Sequence, residues 1–393
     1  MKVWLLDPGL LNRHGHHFHT DRALVREFRR RGAEIEVFGN RDVEPEILEE
    51  MAVAPVFRAT AYPSRDGARN RDHAADIASH NRLVEEDLRR ADVTLGRRDL
   101  ILVPTARDIH LAGMLRWYRS LTEPRPVVAL RLVFTPWFRV RPEERDAAVA
   151  TSAEQLAAWA SLSRVVLSAE SEPLASYFTG LIGKPLWPLP LPLAHATQRN
   201  GRRPVADRTI RVVFLGEARR EKGFHLLADA LRRVVNRCPQ IELTVQTSCL
   251  FDVDQAEVTR LRSLPIEVRT IDQPLSRRDY QSLLKQSDLI LAAYDPIAYE
   301  LRTSSIFLEA VGAGKPVLVS AGTWMAQEAR RLGLIDVTAT EFTSPALAAA
   351  LGQLLDRWPE ALRRSHAAAA ATRRHHSART FVDGLMSLVE GLR

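Results

Sequence analysis

Arg302-Thr-Ser-Ser-Ile-Phe-Leu-Glu-Ala-Val-Gly-Ala-Gly-Lys-Pro-Val-Leu-Val319 is the segment from which the fold class follows. It predicts a helix that opens on hydroxyl residues, ends at Gly312 and Gly314, and leads into a buried strand from Pro316. The free N–H groups at the start of such a helix attract anions, and the charge of Arg302 adds to that attraction. The segment therefore predicts a diphosphate-binding helix in an α/β protein.

The hydroxyl residues and one carboxylate give this helix its expected ligand. Thr303, Ser304 or Ser305 can cap the helix, and Glu309 lies about a turn and a half inside it. A diphosphate would be held by the N–H groups and Arg302, while Glu309 accepts hydrogen bonds from the hydroxyls of an attached ribose. We expect all five residues to bind a nucleotide.

A second segment, Leu215-Gly-Glu-Ala-Arg-Arg-Glu-Lys-Gly223, follows the first predicted strand of the second half of the chain. Gly216 would let a ligand approach the backbone, and Arg219 and Lys222 can neutralise a diphosphate. Lys222 is one of only five lysines, whereas nearly all the basic residues of this chain are arginines. A site role is expected for these three residues, and an ordinary exposed helix start is the alternative interpretation.

Together the two segments resemble the donor site of the group 1 (family 4) retaining glycosyltransferases, which have the GT-B fold. In that family a Glu is followed by Ala-x-x-x-Gly-x-Pro-Val, and the sequence from Glu309 to Val317 matches this pattern. Lys222 with the glycine after it also matches the family. Two positions depart from it, because Leu301 stands where the family has a first Glu and Glu217 stands where it has an arginine.

The rest of the chain predicts two halves of similar design. Strands alternate with helices from Lys2 and again from Thr209, which indicates parallel sheets. We predict an α/β protein of the GT-B type, with two doubly wound Rossmann-like domains facing across a cleft. The predicted N-terminal, acceptor-side domain covers 1–193, a polar linker covers 194–207, and the C-terminal, nucleotide-sugar donor-binding domain covers 208–377. The resemblance implies that the last helix, 378–393, packs back onto the first domain.

Histidines supply the candidate groups of the first half. In the loop after the first strand, Gly15 would allow a ligand close to the backbone, and the imidazole of His16 could contact a phosphate or a sugar hydroxyl. Metal binding is the alternative, but histidines at consecutive positions cannot all turn towards one ion. His110 follows another strand, so it could point into the cleft or serve as a core or capping residue.

The resemblance implies transfer of a hexosyl sugar from a UDP- or GDP-type donor to an acceptor hydroxyl, with retention and without a metal or other cofactor. Arg219 and Lys222 would stabilise the departing diphosphate. His16 or His110 would orient the acceptor hydroxyl, whose proton the leaving phosphate can take. The acceptor would be a glycan or a lipid-linked molecule in bacterial polysaccharide or glycoconjugate synthesis. The departures at Leu301 and Glu217 favour an alternative, a non-catalytic GT-B-like protein that binds a nucleotide sugar or glycan in an envelope assembly.

The composition of the chain bears on nucleic-acid binding, membrane association and cellular location. The chain has 55 basic and 48 acidic residues, a surplus of seven, and its arginines are scattered, which indicates a solvated surface rather than a nucleic-acid site. The basic excess allows weak adsorption to an anionic membrane. There is no predicted signal peptide or membrane span, and only two cysteines occur. We therefore expect a cytoplasmic protein that could lie on the inner face of the membrane.

Overall fold

The computed structural model describes residues 1–13, 16–62, 73–91, 94–138, 140–193, 209–235, 240–248, 250, 252–335 and 338–392. The chain divides into two compact units. The first comprises Met1–Ala194 and His376–Arg393, and the second comprises His195–His375. The predicted linker, 194–207, lies outside the described residues.

The first unit is a parallel sheet with helices. Its strands are β1 Lys2–Leu6, β2 Glu34–Asn40, β3 Val53–Phe57, β4 Leu100–Ala106, β5 Val127–Leu132, β6 Val165–Ala169 and β7 Trp187–Pro188. Its helices are α1 His16–Arg30, α2 Pro45–Met51, α3 His73–Arg90, α4 Asp108–Ser120, α5 Arg145–Ala160, α6 Glu172–Ile182 and α15 Ala378–Glu390, with a 3-10 turn at Pro142–Glu144. The strand order is β3-β2-β1-β4-β5-β6-β7.

The second unit repeats the design. Its strands are β8 Ile210–Phe214, β9 Ile241–Gln246, β10 Glu267–Ile271, β11 Leu289–Ala292, β12 Val317–Ser320 and β13 Thr338–Ala339. Its helices are α7 Leu227–Val235, α8 Gln255–Arg262, α9 Arg277–Gln286, α10 Pro296–Tyr299, α11 Ser305–Gly312, α12 Trp324–Arg331, α13 Ser344–Asp356 and α14 Trp358–His375, with 3-10 turns at Arg220–Lys222 and Phe224–Leu226. The strand order is β10-β9-β8-β11-β12-β13, and the strand pairs are parallel.

These sheets confirm the predicted α/β class. Their central strands are buried, which explains why they appear as apolar runs in the sequence. Every residue of β4 and β5 is buried, as expected for central strands that helices cover on both faces. The prediction lacked β3 and the short strands β7 and β13. Pro55 lies within β3, which is tolerated because β3 is an edge strand, but a proline weakens a strand signal in sequence.

The last helix belongs to the core of the first unit. In α15 the side chains of Phe381, Val382, Leu385 and Val389 are fully buried, in the same apolar cluster as Phe28 of α1. The first unit is thus closed by residues from both ends of the chain. None of the helices in the described residues is long and apolar enough to cross a bilayer.

Removing apolar volume from α15 should destabilise the first unit. We expect Leu385→Ala to lower the free energy of unfolding by about 2–5 kcal/mol, because a fully buried leucine leaves a cavity when truncated. Denaturant unfolding followed by circular dichroism measures this change. Ser387→Ala, on the exposed face of the same helix, is the matched control and should change stability by about 0.5 kcal/mol or less. Equal effects of the two substitutions would contradict this packing.

Candidate functional site

The second unit places two of the predicted segments at one point of its sheet. In the strand order, β8 and β11 are neighbours. The chain continues from β8 to β9 on one side of this pair and from β11 to β12 on the other, so the two connections diverge. The segment from Gly216 to Lys222 follows β8, and the segment that leads to α11 follows β11. Ligands in sheets of this type bind beyond the carboxyl ends of the strands at such a switch point. We call the residues that meet here the anion cluster: Gly216, Arg219, Glu221, Lys222, Arg302 and the first turn of α11.

Gly216 shows how closely the two segments approach. Its φ is +86°, a conformation that favours glycine. A Cβ atom at this position would lie 2.8 Å from the Lys222 Nζ and 2.9 Å from the Ile306 Cδ1. The structure therefore brings Lys222 and the start of α11 together over a backbone where an added side chain would displace both of them.

The start of α11 is capped by one of the three predicted hydroxyls. The Ser304 Oγ accepts a hydrogen bond of 3.2 Å from the Phe307 backbone N–H. Thr303 and Ser305 flank this cap and are half-buried. Phe307 and Leu308 are fully buried and hold the helix against the sheet, so the direction of its remaining N–H groups is set by packing.

The two arginines of the anion cluster are held by carboxylates. Arg219 pairs with Glu217 and, at 3.2 Å, with Glu221. Arg302 also pairs with Glu221, at 3.3 Å, and its guanidinium carbon lies 4.3 Å from the centre of the Tyr299 ring. Burial would raise the pKa of Glu221, but the charges of Arg302 and Arg219 hold it below its usual value. Glu221 thus bridges two cations that the sequence had assigned to a diphosphate.

Lys222 is the cation of the cluster that no carboxylate holds. Within the described residues its half-buried ammonium makes no hydrogen bond or ion pair, and the Nζ lies 5.9 Å from the centre of the Tyr294 ring. Burial, reinforced by the charge of Arg219, lowers the pKa of Lys222 to about 8. Its N–H donors are therefore available to an anion, and binding of that anion would be coupled to its protonation.

Glu309 has a partner that the sequence analysis did not anticipate. An Arg277 Nη atom lies 2.7 Å from the Glu309 Oε1, and the carboxylate is 10% exposed. Arg277 is the first residue of α9, 32 positions earlier in the chain, and no local pattern marks it as part of a site. A ribose bound at Glu309 would have to share the carboxylate with this guanidinium.

Two histidines of the first unit were candidates, and their surroundings differ. Gly15 lies outside the described residues, but His16 begins α1 and is half-buried. Its ring stacks on that of His17, with centroids 4.2 Å apart. His110 is fully buried in α4, its Nε2 lies 3.2 Å from the Thr60 carbonyl oxygen, and burial lowers its pKa to about 4. The structure thus encloses the His110 ring in the interior and does not bring it into contact with His16.

A buried polar group beside His16 was not predicted from the sequence. The His17 Nδ1 lies 2.7 Å from the Asp7 Oδ2, and the other Asp7 oxygen accepts a bond of 2.8 Å from the Gly9 N–H. The His17 Nε2 lies 3.0 Å from the Tyr62 hydroxyl. A signal for Asp7 existed, since a carboxylate directly after a buried parallel strand lies at the ligand-binding edge of the sheet. The partner Tyr62 could not be found in this way.

Metal ligands are not grouped in the part of the chain that the structure describes. None of the described residues forms a set of three or more His, Cys, Asp or Glu side chains arranged to hold an ion. The close pair of Asp7 and His17 is accompanied by Tyr62 rather than by a third ligand.

Comparisons with known proteins bear on the fold. No protein-family model matches the chain, and no curated protein matches it. Among solved structures it is similar to HepE from Anabaena in complex with UDP and glucose, with 17% identity, a TM-score of 0.66 and 100% of each chain covered. It is also similar to an E. coli structure described as trehalose-6-phosphate bound with UDP-2-fluoro glucose, with 14% identity, a TM-score of 0.67 and 99% of each chain covered.

A third similar structure is the Candida albicans trehalose-6-phosphate phosphatase N-terminal domain, with 11% identity and a TM-score of 0.68 over 100% of this chain and 97% of that one. The two parallel sheets and these likenesses establish the GT-B fold, with its two Rossmann-like domains. At such low identities the likeness shows the fold alone, and membership of family 4 stays a prediction.

The lowered pKa of Lys222 predicts how anion binding depends on pH. Because the protonated form binds an anion, affinity for UDP should be constant below the pKa of about 8 and fall above it. The fall should approach roughly tenfold per pH unit, until the raised pKa of the bound state is reached. Isothermal titration calorimetry between pH 7 and pH 10 measures it.

Lys222→Arg is the matched control for this pH dependence. An arginine stays charged throughout the range, so the affinity of this variant should not show the same loss between pH 8 and pH 10. Parallel losses of affinity in the two proteins would mean that another group controls binding.

Proposed function

We propose that this protein is a glycosyltransferase that moves a hexosyl group from a nucleotide diphosphate sugar to an acceptor hydroxyl. The observation that carries the proposal is the meeting of Gly216, Lys222 and the first turn of α11 at the carboxyl ends of β8 and β11. A cation, a helix N-terminus and an exposed backbone are the elements that hold a diphosphate. The bound UDP and UDP-2-fluoro glucose of two similar structures support a UDP-type donor, with GDP as the alternative.

In this proposal the anion cluster binds the donor diphosphate and then stabilises it as the leaving group. The cluster holds three cations, Arg219, Lys222 and Arg302, against the carboxylates of Glu217 and Glu221. One positive charge is therefore left over before the helix N-terminus is counted. Hydrogen bonds to charged groups contribute about 1.5–3 kcal/mol each, and those that strengthen as the diphosphate departs would lower the barrier.

The hydroxyls of Thr303, Ser304 and Ser305 and the backbone of Gly216 complete the proposed phosphate site, and Glu309 with Arg277 forms the proposed ribose end. His16 on the first unit is the proposed contact for the acceptor hydroxyl, with Gly15 beside it in sequence. His110 is less suited to this role because its ring is fully buried. We infer from the family resemblance that transfer proceeds with retention and that these cations serve in place of a metal.

We further place the reaction in bacterial polysaccharide or glycoconjugate synthesis, with a glycan or a lipid-linked acceptor. The resemblance to family 4 supports this assignment. The surplus of basic residues would favour a lipid-linked acceptor at the cytoplasmic face of an anionic membrane, where a peripheral protein meets its substrate through weak, salt-sensitive contacts.

A second candidate is a GT-B protein that binds a nucleotide sugar or glycan without turnover. Two contacts favour it: Glu217 pairs with Arg219, and Arg277 pairs with Glu309. In both cases a charged group that would act on the donor is already neutralised within the protein. Binding of UDP-sugars with neither hydrolysis nor transfer across an acceptor panel would support this function over the first.

Truncation of Lys222 tests the proposed donor site. We expect UDP, GDP or one of their sugars to raise the melting temperature of the wild-type protein, because a ligand of the folded state alone stabilises it. Lys222→Ala should weaken the affinity for that nucleotide roughly 10- to 150-fold, the equivalent of one charge-assisted hydrogen bond. Lys285→Ala, which removes an exposed lysine from α9, is the matched control and should bind as the wild type does. Equal affinity in the two variants would remove Lys222 from the site.

The stereochemical course can be measured independently of the site. We expect a donor with an α-linked sugar to give an α-linked product, as in other retaining enzymes of the resembled family. Proton NMR of the first product, recorded before any anomeric equilibration, distinguishes the α and β linkages. A β-linked product would disprove retention while leaving nucleotide binding at the anion cluster intact.

A further inference from the structure

Four side chains of the first unit form a hydrogen-bonded chain, and the proposed function has so far used only one of them, His16. It runs from the Asp7 carboxylate to the His17 Nδ1 at 2.7 Å, and from the His17 Nε2 to the Tyr62 hydroxyl at 3.0 Å. The same hydroxyl lies 3.5 Å from the His16 Nε2. Asp7 directly follows β1, whose neighbour β4 marks the switch point of the first sheet. The chain therefore lies at the ligand-binding edge of that unit.

Asp7 and His17, at the inner end of the hydrogen-bonded chain, are buried and closely packed. Asp7 is 1% exposed and His17 is 6% exposed. A Cβ atom on Gly9 would lie 2.2 Å from the His17 Cε1, so the loop after β1 wraps against the ring with no room for a side chain. Burying a carboxylate costs several kcal/mol unless it is well paired, so this arrangement needs its partners in place.

The outer end of the hydrogen-bonded chain is less deeply buried than the inner end. His16 is half-buried, and within the described residues its Nδ1 makes no hydrogen bond. Phe134 lies beside it, with the ring centroids of His16 and Phe134 6.1 Å apart. The Tyr62 ring is also 6.1 Å from that of Phe134. Aromatic rings around an open nitrogen suit a sugar, which packs its C–H face on a ring and directs a hydroxyl to the nitrogen.

The hydrogen bonds of the chain have two self-consistent arrangements. When His17 is neutral, its Nδ1–H donates to Asp7, and its Nε2 accepts from the Tyr62 hydroxyl. The Tyr62 oxygen can then accept from the Nε2–H of His16, which leaves the His16 Nδ1 as a bare acceptor. When His17 is protonated, its Nε2–H donates to Tyr62, Tyr62 donates to the His16 Nε2, and the His16 Nδ1 carries a hydrogen.

The two arrangements differ by one proton and by the direction of two hydrogen bonds. A proton that arrives at the His16 Nδ1 becomes, after two shifts along the chain, a positive charge on His17 next to Asp7. We propose that His16, Tyr62, His17 and Asp7 are a proton relay that takes the proton of a sugar hydroxyl bound at His16. This proposal rests on the proposed glycosyl transfer and gives the acceptor proton to the relay, in place of the leaving phosphate named by the family resemblance.

The proposed step balances without any further reactant. The acceptor O–H bond breaks as the oxygen bonds to the anomeric carbon of the donor sugar, and the bond from that carbon to the diphosphate oxygen breaks with its electron pair leaving on the diphosphate. The proton passes to the His16 Nδ1, and the resulting charge rests on His17. Asp7 stabilises that imidazolium and stays ionised.

The other charged and titratable groups around the four relay side chains are compatible with this step. They are Asp21 on α1, Arg131 on β5, Glu170 after β6, and Arg107 and His110 at the start of α4. Burial and the nearby Asp7 raise the pKa of Asp21 well above its usual value, which favours its neutral form. Arg131 is paired with Glu170 at 3.1 Å. Burial keeps His110 neutral, and Arg107 lies over the Tyr62 ring at 5.7 Å. Asp7 is thus the carboxylate that faces His17.

Tyr62→Phe breaks the relay while keeping the ring. We expect kcat for transfer to fall about 10²-fold, the usual contribution of a positioned acid or base, with the KM for the donor unchanged. Wild-type kcat should also depend on pH through the number of protons that the relay holds, and the variant should lack this dependence. Tyr118→Phe is the matched control, since it removes another buried hydroxyl of the first unit, one that donates to the Pro126 carbonyl oxygen at 2.9 Å. It should keep both the rate and the pH profile.

The two proposals fail in different ways. If the wild type transfers sugar and Tyr62→Phe does so at the same rate with the same pH profile, the relay is wrong and the transferase function stands. If the wild type binds nucleotide sugars at Lys222 but transfers none, the proposed function is wrong.

Nitrogen-15 NMR of the histidines decides the relay in either case. At high pH we expect the Nδ1–H tautomer for His17 and the Nε2–H tautomer for His16. As His17 gains a proton, His16 should change to the Nδ1–H tautomer without becoming charged. Tyr62→Phe should abolish this linked change, whereas Tyr118→Phe should preserve it. Tautomers of His16 that do not follow the titration of His17 would overturn the relay.

Discussion

The partial removal of the Lys222 ammonium from water is the physical constraint on which the proposed donor site depends. Its charge is kept over the backbone of Gly216 and against the first turn of α11, where water is limited. A cation placed in this way gains more from an arriving anion than a fully hydrated one, because much of its hydration has already been lost. Glycine at 216 is what permits the approach. The arginines nearby set the surrounding field but are themselves compensated by Glu217 and Glu221.

Parallel sheets explain why both units concentrate polar groups at comparable places. All strands of such a sheet end at one edge, and connections on either side of a switch point diverge and leave a space there. In the second unit this space is bordered by Gly216 after β8, and in the first by Asp7 after β1. The two edges carry different chemistry: cations and helix N–H groups in one, a carboxylate and imidazoles in the other. The proposed anion binding and the proposed proton acceptance thus belong to separate units.

Two ion pairs within the second unit reduce the charge of the proposed donor site. Glu217, which stands where the family has an arginine, pairs with Arg219 and so reduces the charge offered to a ligand. Arg277 does the same to Glu309 at the other end of the site. Both ion pairs make the site less highly charged than the motif alone implies, so a donor would be held by fewer strong contacts. The chemical identity of the donor then depends on how far these internal pairs open when it binds.

What the sequence determined by itself was local: alternating strands and helices, a helix that opens on the hydroxyl residues from Thr303 to Ser305, and a glycine followed by Lys222 after a strand. These features follow from hydrophobic periodicity, capping and backbone freedom, each of which acts over a few residues. The pairs Arg277–Glu309 and Asp7–His17, and the position of Tyr62, were decided by the tertiary structure alone. Charges and hydrogen-bond donors choose partners by distance in space, and residues tens of positions apart become neighbours only when the sheet has assembled.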